Sequence, residues 1–222
     1  MTDHHNLDER VTELSTLLTQ VLAWQEDERR TVTYSLREDI GQALAALALN
    51  LRVLEQHSTH PLNVEIIGDM RKLTTGALRD LDQLQRWLYP PALESQGLIP
   101  AFEVYIQEFA HANQVRVEID AEVPPRRLPK DVEITLFRML QDALEHLRQQ
   151  LCVNAVRLRL RLIKEFAYLV IEIDGVTEVA GWRTALMAER AAALGGRCAV
   201  TTLPLAGARF EIALPVIQED SA

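Results

Sequence analysis

No proline interrupts residues 2–60. Proline ends helices more reliably than any other residue, because it lacks an N–H and its ring clashes with the preceding turn. The stretch is also rich in Ala and Leu, which lose little on entering a helix. It opens with Leu7, Val11, Leu14, Leu18 and Val21, spaced alternately by four and three. That spacing suggests a coiled-coil seam over residues 1–24, although the ~2.5 heptads present also suit an ordinary amphipathic helix. The sequence thus predicts one long helix from about Leu7 to Gln56, broken at HSTHPLN with Pro61 as punctuation.

A second helix is predicted from Asn63 to Leu88. Its apolar positions Ile66, Ile67, Met70, Leu73, Ala77, Leu81, Leu84 and Leu88 recur at three and four. Two long helices joined by a short loop make an αα-hairpin over residues 25–90. Each helix carries more apolar surface than one hairpin can bury, so the pattern predicts a homodimer built as an antiparallel four-helix bundle.

Pro90 and Pro91 end the second helix, and a second domain is expected over residues 91–217, with a short tail at 218–222. SQGLIPAFEVYIQEFAHAN reads as a loop and a helix, and VRVEIDA alternates as a strand. Leu128–Leu151 contains a further helix. AVRLRLRLI and AYLVIEID alternate, TALMAERAAALGG is a helix closed by glycine, and RCAVTT and ARFEIALP read as strands. The class is α+β: a helical hairpin followed by a two-layer α/β sandwich, one mixed sheet with helices on one face.

The net charge is −9 and no Lys/Arg cluster stands out, which argues against nucleic acid and for a protein or small-molecule partner. The two cysteines, Cys152 and Cys198, sit in apolar surroundings and read as buried free thiols, as a reducing cytoplasm allows. The start, MTDHHNLDER, lacks the apolar core of a signal peptide, and no apolar run reaches the ~18 residues of a membrane span. A cytoplasmic location without membrane insertion is expected.

Three local signatures, spread over Glu28 to Pro215, resemble the histidine-kinase subfamily that pairs with response regulators bearing helix-turn-helix output domains. ERRTVTYSLREDIGQAL at Glu28–Leu44 resembles that subfamily's E-R-x-R-I-A-R-E-L-H-D-x-[IV]-G-Q-x-L. LQRWLYPPALESQGLIPAFEVYIQEFA at Leu84–Ala110 resembles its L-R-P-x-x-L-x-x-x-G-L-x-x-A-L connector, with Pro90, Leu93, Gly97, Leu98 and Ala101 in place. LFRMLQDALEHLRQ at Leu136–Gln149 and MAERAAALGG at Met187–Gly196 resemble two boxes of its ATPase domain.

The resemblance implies chemistry for which the residues are altered. The phosphoacceptor histidine falls on Arg37, whose guanidinium stays protonated and offers no lone pair to phosphorus. Glu38 follows it as the neighbouring acid. The Asn expected to hold Mg²⁺ falls on His146, and imidazole is a poor ligand for a hard cation. The D-x-G-x-G loop expected to read adenine becomes I-D-G-V-T at Ile173–Thr177. It keeps Asp174 and Gly175 off-register, where a strand-end turn is the alternative reading. The second glycine box becomes G-W-R at Gly181–Arg183, and the five residues between Gly175 and Gly181 are too few for a lid over ATP. Loss of ATP and Mg²⁺ binding is expected, leaving no cofactor and no metal.

His57, His60 and His111 lack the flanking acid of an acceptor and read as solvated side chains. Gln42 remains where the resemblance implies a glutamine that orients water against a response regulator's phospho-aspartate; a solvated helix residue is the alternative. Three readings follow: a non-catalytic pseudokinase that dimerises and binds a response regulator or a related kinase, a response-regulator phosphatase centred on Gln42 and Glu38, and an atypical ATP-dependent kinase.

Overall fold

The computed structural model describes residues 2–122, 127–148, 153–175, 182–203 and 207–216. Ala23–Pro91 forms one compact unit, and the rest of the described chain forms another.

The proline-free stretch is helical from Thr2 to His57. Helix α1 (Thr2–Ser35) passes into a π-helical turn, Leu36–Gly41, and then into α2 (Gln42–His57). The regular helix expected over this stretch therefore carries one wider turn. A π turn accommodates an extra residue and re-phases the side chains that follow it, and such turns gather at functional sites. The turn contains Arg37 and Glu38. Ser58 and His60 are extended, and α3 (Pro61–Leu88) starts with proline in its first turn, where the missing N–H costs nothing.

α2 and α3 pack side by side, burying Leu51 and Leu81 and pairing Glu55 Oε2 with Arg71 Nε at 3.1 Å. Thr74 is buried because its hydroxyl donates to the Met70 carbonyl at 2.8 Å. A single hairpin covers only part of the apolar pattern. Leu54, Ile66, Met70, Leu73 and Leu84 stay exposed, Leu73 at 75%.

In the second unit, α4 (Pro91–Ser95) and α5 (Leu98–Asn113) lead into β1 (Arg116–Glu122). Between α4 and α5, Gly97 has φ +99°, and a Cβ there would press on the Arg127 side chain at 3.1 Å. That arginine is fixed by a two-pronged contact to Glu133 and by donation to the Leu93 and Glu94 carbonyls. Then follow α6 (Lys130–Arg148), β2 (Ala155–Ile163), β3 (Phe166–Asp174), α7 (Trp182–Ala193), β4 (Arg197–Leu203) and β5 (Gly207–Pro215).

The strands form one mixed sheet in the order β1-β2-β3-β5-β4. β1 is parallel to β2 and every other pair is antiparallel. A parallel neighbour requires a crossover, and α6 supplies it. α5, α6 and α7 cover one face, where Phe102, Phe137, Leu140, Leu169, Ile171 and Met187 form the core. Tyr105 meets Phe137 edge-on at 5.4 Å.

The other face is a lattice of charges. Arg159 pairs with Glu172, Arg161 with Asp120 and Glu122, and Arg209 with Glu172 and Glu211. The hydrogen bond from Arg161 holds the Asp120 carboxyl below the usual carboxylate range. The α+β class, the mixed sheet and the one-sided helices expected from the sequence are all present. The glycine stop after α7 is present too: Gly195 has φ +70° and Gly196 N–H returns to the Ala191 carbonyl at 2.8 Å.

Candidate functional site

The acceptor-like residues lie in the hairpin unit. Arg37, Glu38 and Gln42 are all exposed, the first two inside the π turn and Gln42 at the first position of α2. Gln42 Nε2 donates to Glu38 Oε2 at 2.6 Å. Residues four apart on a helix meet on one face, and the two side chains hold each other in one orientation. The carboxylate takes the amide nitrogen, so the carboxamide oxygen stays available as an acceptor.

Arg37 and Gln42 also line an open cavity of about 450 Å³ between this helix and the C-terminal part of α3. Its far wall includes Leu81, Asp82, Gln85 and Arg86. Gln85 is only 5% exposed, so its carboxamide is set into the wall. The α3 residues were legible in the sequence only as helix, since a cavity needs the pairing of α3 with the π turn to exist.

The nucleotide-type residues belong to the second unit. Asp174 ends β3 with its side chain 46% exposed. Along β3 the helix-covered positions are Ala167, Leu169, Ile171 and Ile173, so strand alternation puts Asp174 on the charged face with Glu172. There its carboxylate lies 3.6 Å from Arg157. The aspartate position of a D-x-G-x-G frame is occupied by Ile173, which is fully buried. Gly175 has φ +97°, a left-handed turn conformation that favours glycine. His146 lies in the last turn of α6, where only the backbone is described, and Gly181 and Cys152 lie outside the described residues.

One turn before His146, Asp142 faces Arg190 of α7, with 3.8 Å between Oδ2 and Nε and only 15% and 7% side-chain exposure. Near it in α6, buried Arg138 donates to Gln141 Oε1 at 2.6 Å. Sequence reasoning missed these contacts, because in a helix of mixed character a charged residue reads as solvent-facing. Arg138 and Asp142 fall a turn apart on the side of α6 opposite Leu136 and Leu140, so apolar periodicity gave no sign of their burial.

Among the described residues no group of three or more His, Cys, Asp or Glu side chains could hold a metal ion, and no helix is long and apolar enough to cross a membrane. Cys198 is free and half-buried, and burial pushes its thiol up to about 11.

No family model matches the chain. It is 27% identical over 211 residues to the signal transduction histidine-protein kinase/phosphatase DegS of Brevibacillus brevis, covering 90% of this chain and 54% of that protein. It is 25% identical over 205 residues to the sensor protein VraS of Staphylococcus aureus, covering 88% of this chain and 58% of VraS. The chain thus spans a little over half the length of these curated relatives. Among solved structures, the histidine kinase domain of the blue-light activated histidine kinase of Erythrobacter litoralis EL346 superposes with a TM-score of 0.49 at 14% identity, over 79% of this chain and 94% of that one.

Proposed function

We propose that this chain, a homologue of two-component sensor histidine kinases, is a dimeric pseudokinase that engages a response regulator or a partner kinase without phosphorylating itself. The observation that carries this reading is Arg37 at the acceptor position, in the π turn beside Glu38. A guanidinium has no lone pair with which to attack the γ-phosphorus of ATP.

Two described positions support loss of Mg-ATP binding as well. A buried isoleucine stands at the frame's aspartate position, and Asp174 is turned to the opposite face beside Arg157. The exposed apolar stripe of the hairpin supports dimerisation through a four-helix bundle. Absence of a transmembrane-capable helix among the described residues is compatible with a cytoplasmic partner. The test is incubation of the full chain with radiolabelled ATP and Mg²⁺, alongside co-purification with response-regulator receiver domains from the same genome. No label on the protein and capture of a receiver or a related kinase are expected. Self-labelling would end the pseudokinase reading.

The Gln42–Glu38 hydrogen bond favours a second reading, a response-regulator phosphatase. Its reaction is hydrolysis: water oxygen attacks the phosphorus of an aspartyl phosphate, the P–O bond to the carboxyl breaks, and aspartate and inorganic phosphate leave. Gln42 Oε1 would accept a hydrogen bond from that water and aim it, with Glu38 as a positioning residue. The chain's relative DegS is named a kinase/phosphatase. If a phosphorylated receiver decays at the same rate with wild-type protein, with Gln42→Ala and alone, this reading is wrong.

A further inference from the structure

We propose that the cavity between the π turn and α3 is a receptor for a dianionic phosphoryl group, with Arg37 and Arg86 as its two cationic jaws. The inference rests on the reading above that a receiver domain is the partner, and it assigns that partner's phosphorylated form as the one bound.

Arg37 and Arg86 reach one cavity from opposite helices. A guanidinium is permanently charged and presents N–H pairs that match two oxygens of a phosphoryl group. Each carries five N–H donors, so Arg86 can serve a ligand while keeping a neighbour. Gln85, almost wholly buried, and Gln42 add carboxamides to the wall.

Asp82 also lines the space and offsets one of the two positive charges. The net charge of the lining stays positive, and a phosphoryl group, with three acceptor oxygens, can meet both guanidiniums at once. The volume, about 450 Å³, equals on the order of fifteen water molecules at their share of liquid volume. That is more room than a free phosphate fills, and enough for the side chain that carries a phosphoryl group. Leu81 and the other apolar lining make part of the wall less polar, which favours charge-assisted hydrogen bonds made against it. An arginine at position 37 thus converts a place suited to taking a phosphoryl group into one suited to holding it.

The experiment measures binding of a receiver domain to the full chain, with the receiver untreated or loaded with beryllofluoride as an aspartyl-phosphate mimic. A parallel titration uses inorganic phosphate alone. Loading is expected to tighten binding at least tenfold. Arg37→Gln is expected to remove that gain, so that loaded and untreated receiver bind the variant alike. Arg37 is exposed, so this variant is expected to fold; Arg86→Gln, checked by circular dichroism, is expected to act the same way. Equal affinity for both receiver forms, or a gain that survives Arg37→Gln, overturns the inference and leaves the receiver-binding reading standing. Phosphate binding lost in Arg37→Gln, with no receiver bound in either form, keeps the oxyanion site, makes the free ion its ligand and removes the receiver reading. Binding of neither probe removes both.

Discussion

Gln42 and Glu38 are joined by a 2.6 Å hydrogen bond that spans the junction of the π turn and α2. Both side chains are exposed, so the bond adds little to stability. Its consequence is orientation: it selects one carboxamide rotamer on the wall of the cavity that also contains Arg37.

Under the phosphatase reading, Gln42→Ala is expected to slow receiver dephosphorylation by about tenfold or more, and Glu38→Ala by less, since it loosens the glutamine without removing it. Both variants are expected to unfold within about 0.5 kcal/mol of wild type, as surface substitutions usually do. Phosphate release with a phosphorylated receiver, paired with urea titration, separates the two effects. Equal loss of activity and stability would identify a merely structural contact.

Leu73, the most exposed of the α3 apolar residues, is the place to test the dimer. Burying a leucine side chain contributes about 1.5–3 kcal/mol. Leu73→Glu is therefore expected to weaken self-association by roughly 10- to 100-fold, using 1.4 kcal/mol per factor of ten. Sedimentation across the micromolar range reads this directly. A wild-type chain that stays monomeric there would refute the bundle.

Two glycines should respond in opposite directions. At Gly41 φ is −62°, and an added Cβ would meet Leu36 O and Leu81 Cδ2 at an ordinary 3.6 Å. Gly41→Ala is expected to stabilise the hairpin by roughly 0.5–1 kcal/mol through lower unfolded-state entropy. At Gly196 a Cβ would collide with the Ala213 carbonyl oxygen and come within 2.7 Å of Leu214 Cδ2. Backbone cannot step aside cheaply, so Gly196→Ala is expected to cost on the order of 2–4 kcal/mol. Thermal melts of the two variants give the signs.

The contrast between those glycines parallels what the sequence could and could not reveal. Helices and strands were legible because their apolar periods, three-to-four in α3 and two in β2 and β3, are properties of neighbouring residues. Gly195 was legible as a stop because its left-handed turn is local. The π turn was not, since Leu36–Gly41 keeps helical composition and differs only in hydrogen-bond phase. Arg37 and Gln42 could be singled out by position, but Gln85 and Arg86 join them only through the packing of α3. In the second domain Asp174 could be recognised, yet the side of the sheet it faces depends on register. A one-residue offset from Ile173 exchanges the helix face for the charged face.

The Asp142–Arg190 contact predicts an asymmetric mutational response. Removing one member of a largely buried pair takes charge compensation from the other, so Asp142→Ala is expected to destabilise the second unit by up to about 3–5 kcal/mol. The double change Asp142→Leu with Arg190→Met replaces both charges by apolar groups and is expected to recover most of that loss. Urea denaturation of the two single variants and the double completes a double-mutant cycle. Additive losses would mean that the two side chains are not coupled.

Cys198 makes a prediction in pH. It pairs in register with Ile212 and packs against the core, and burial lifts its thiol from 9.0 to about 11. Well below pH 9 the folded and unfolded chains both hold the proton, so the group has no effect on stability. As the pH rises from about 9 to about 11, the unfolded chain loses the proton while the folded chain keeps it. Deprotonation then favours unfolding, and stability falls through that window before the contribution levels off above it. At 1.36 kcal/mol per unit, discounted for the thiol's partial exposure, the loss is on the order of 1–2 kcal/mol. Any other group that titrates in that window does so in a Cys198→Ala variant as well. The quantity to compare is the drop in unfolding free energy between pH 8 and pH 10.5 for the two proteins. Wild type is expected to lose more, and an identical drop would show that the thiol titrates normally.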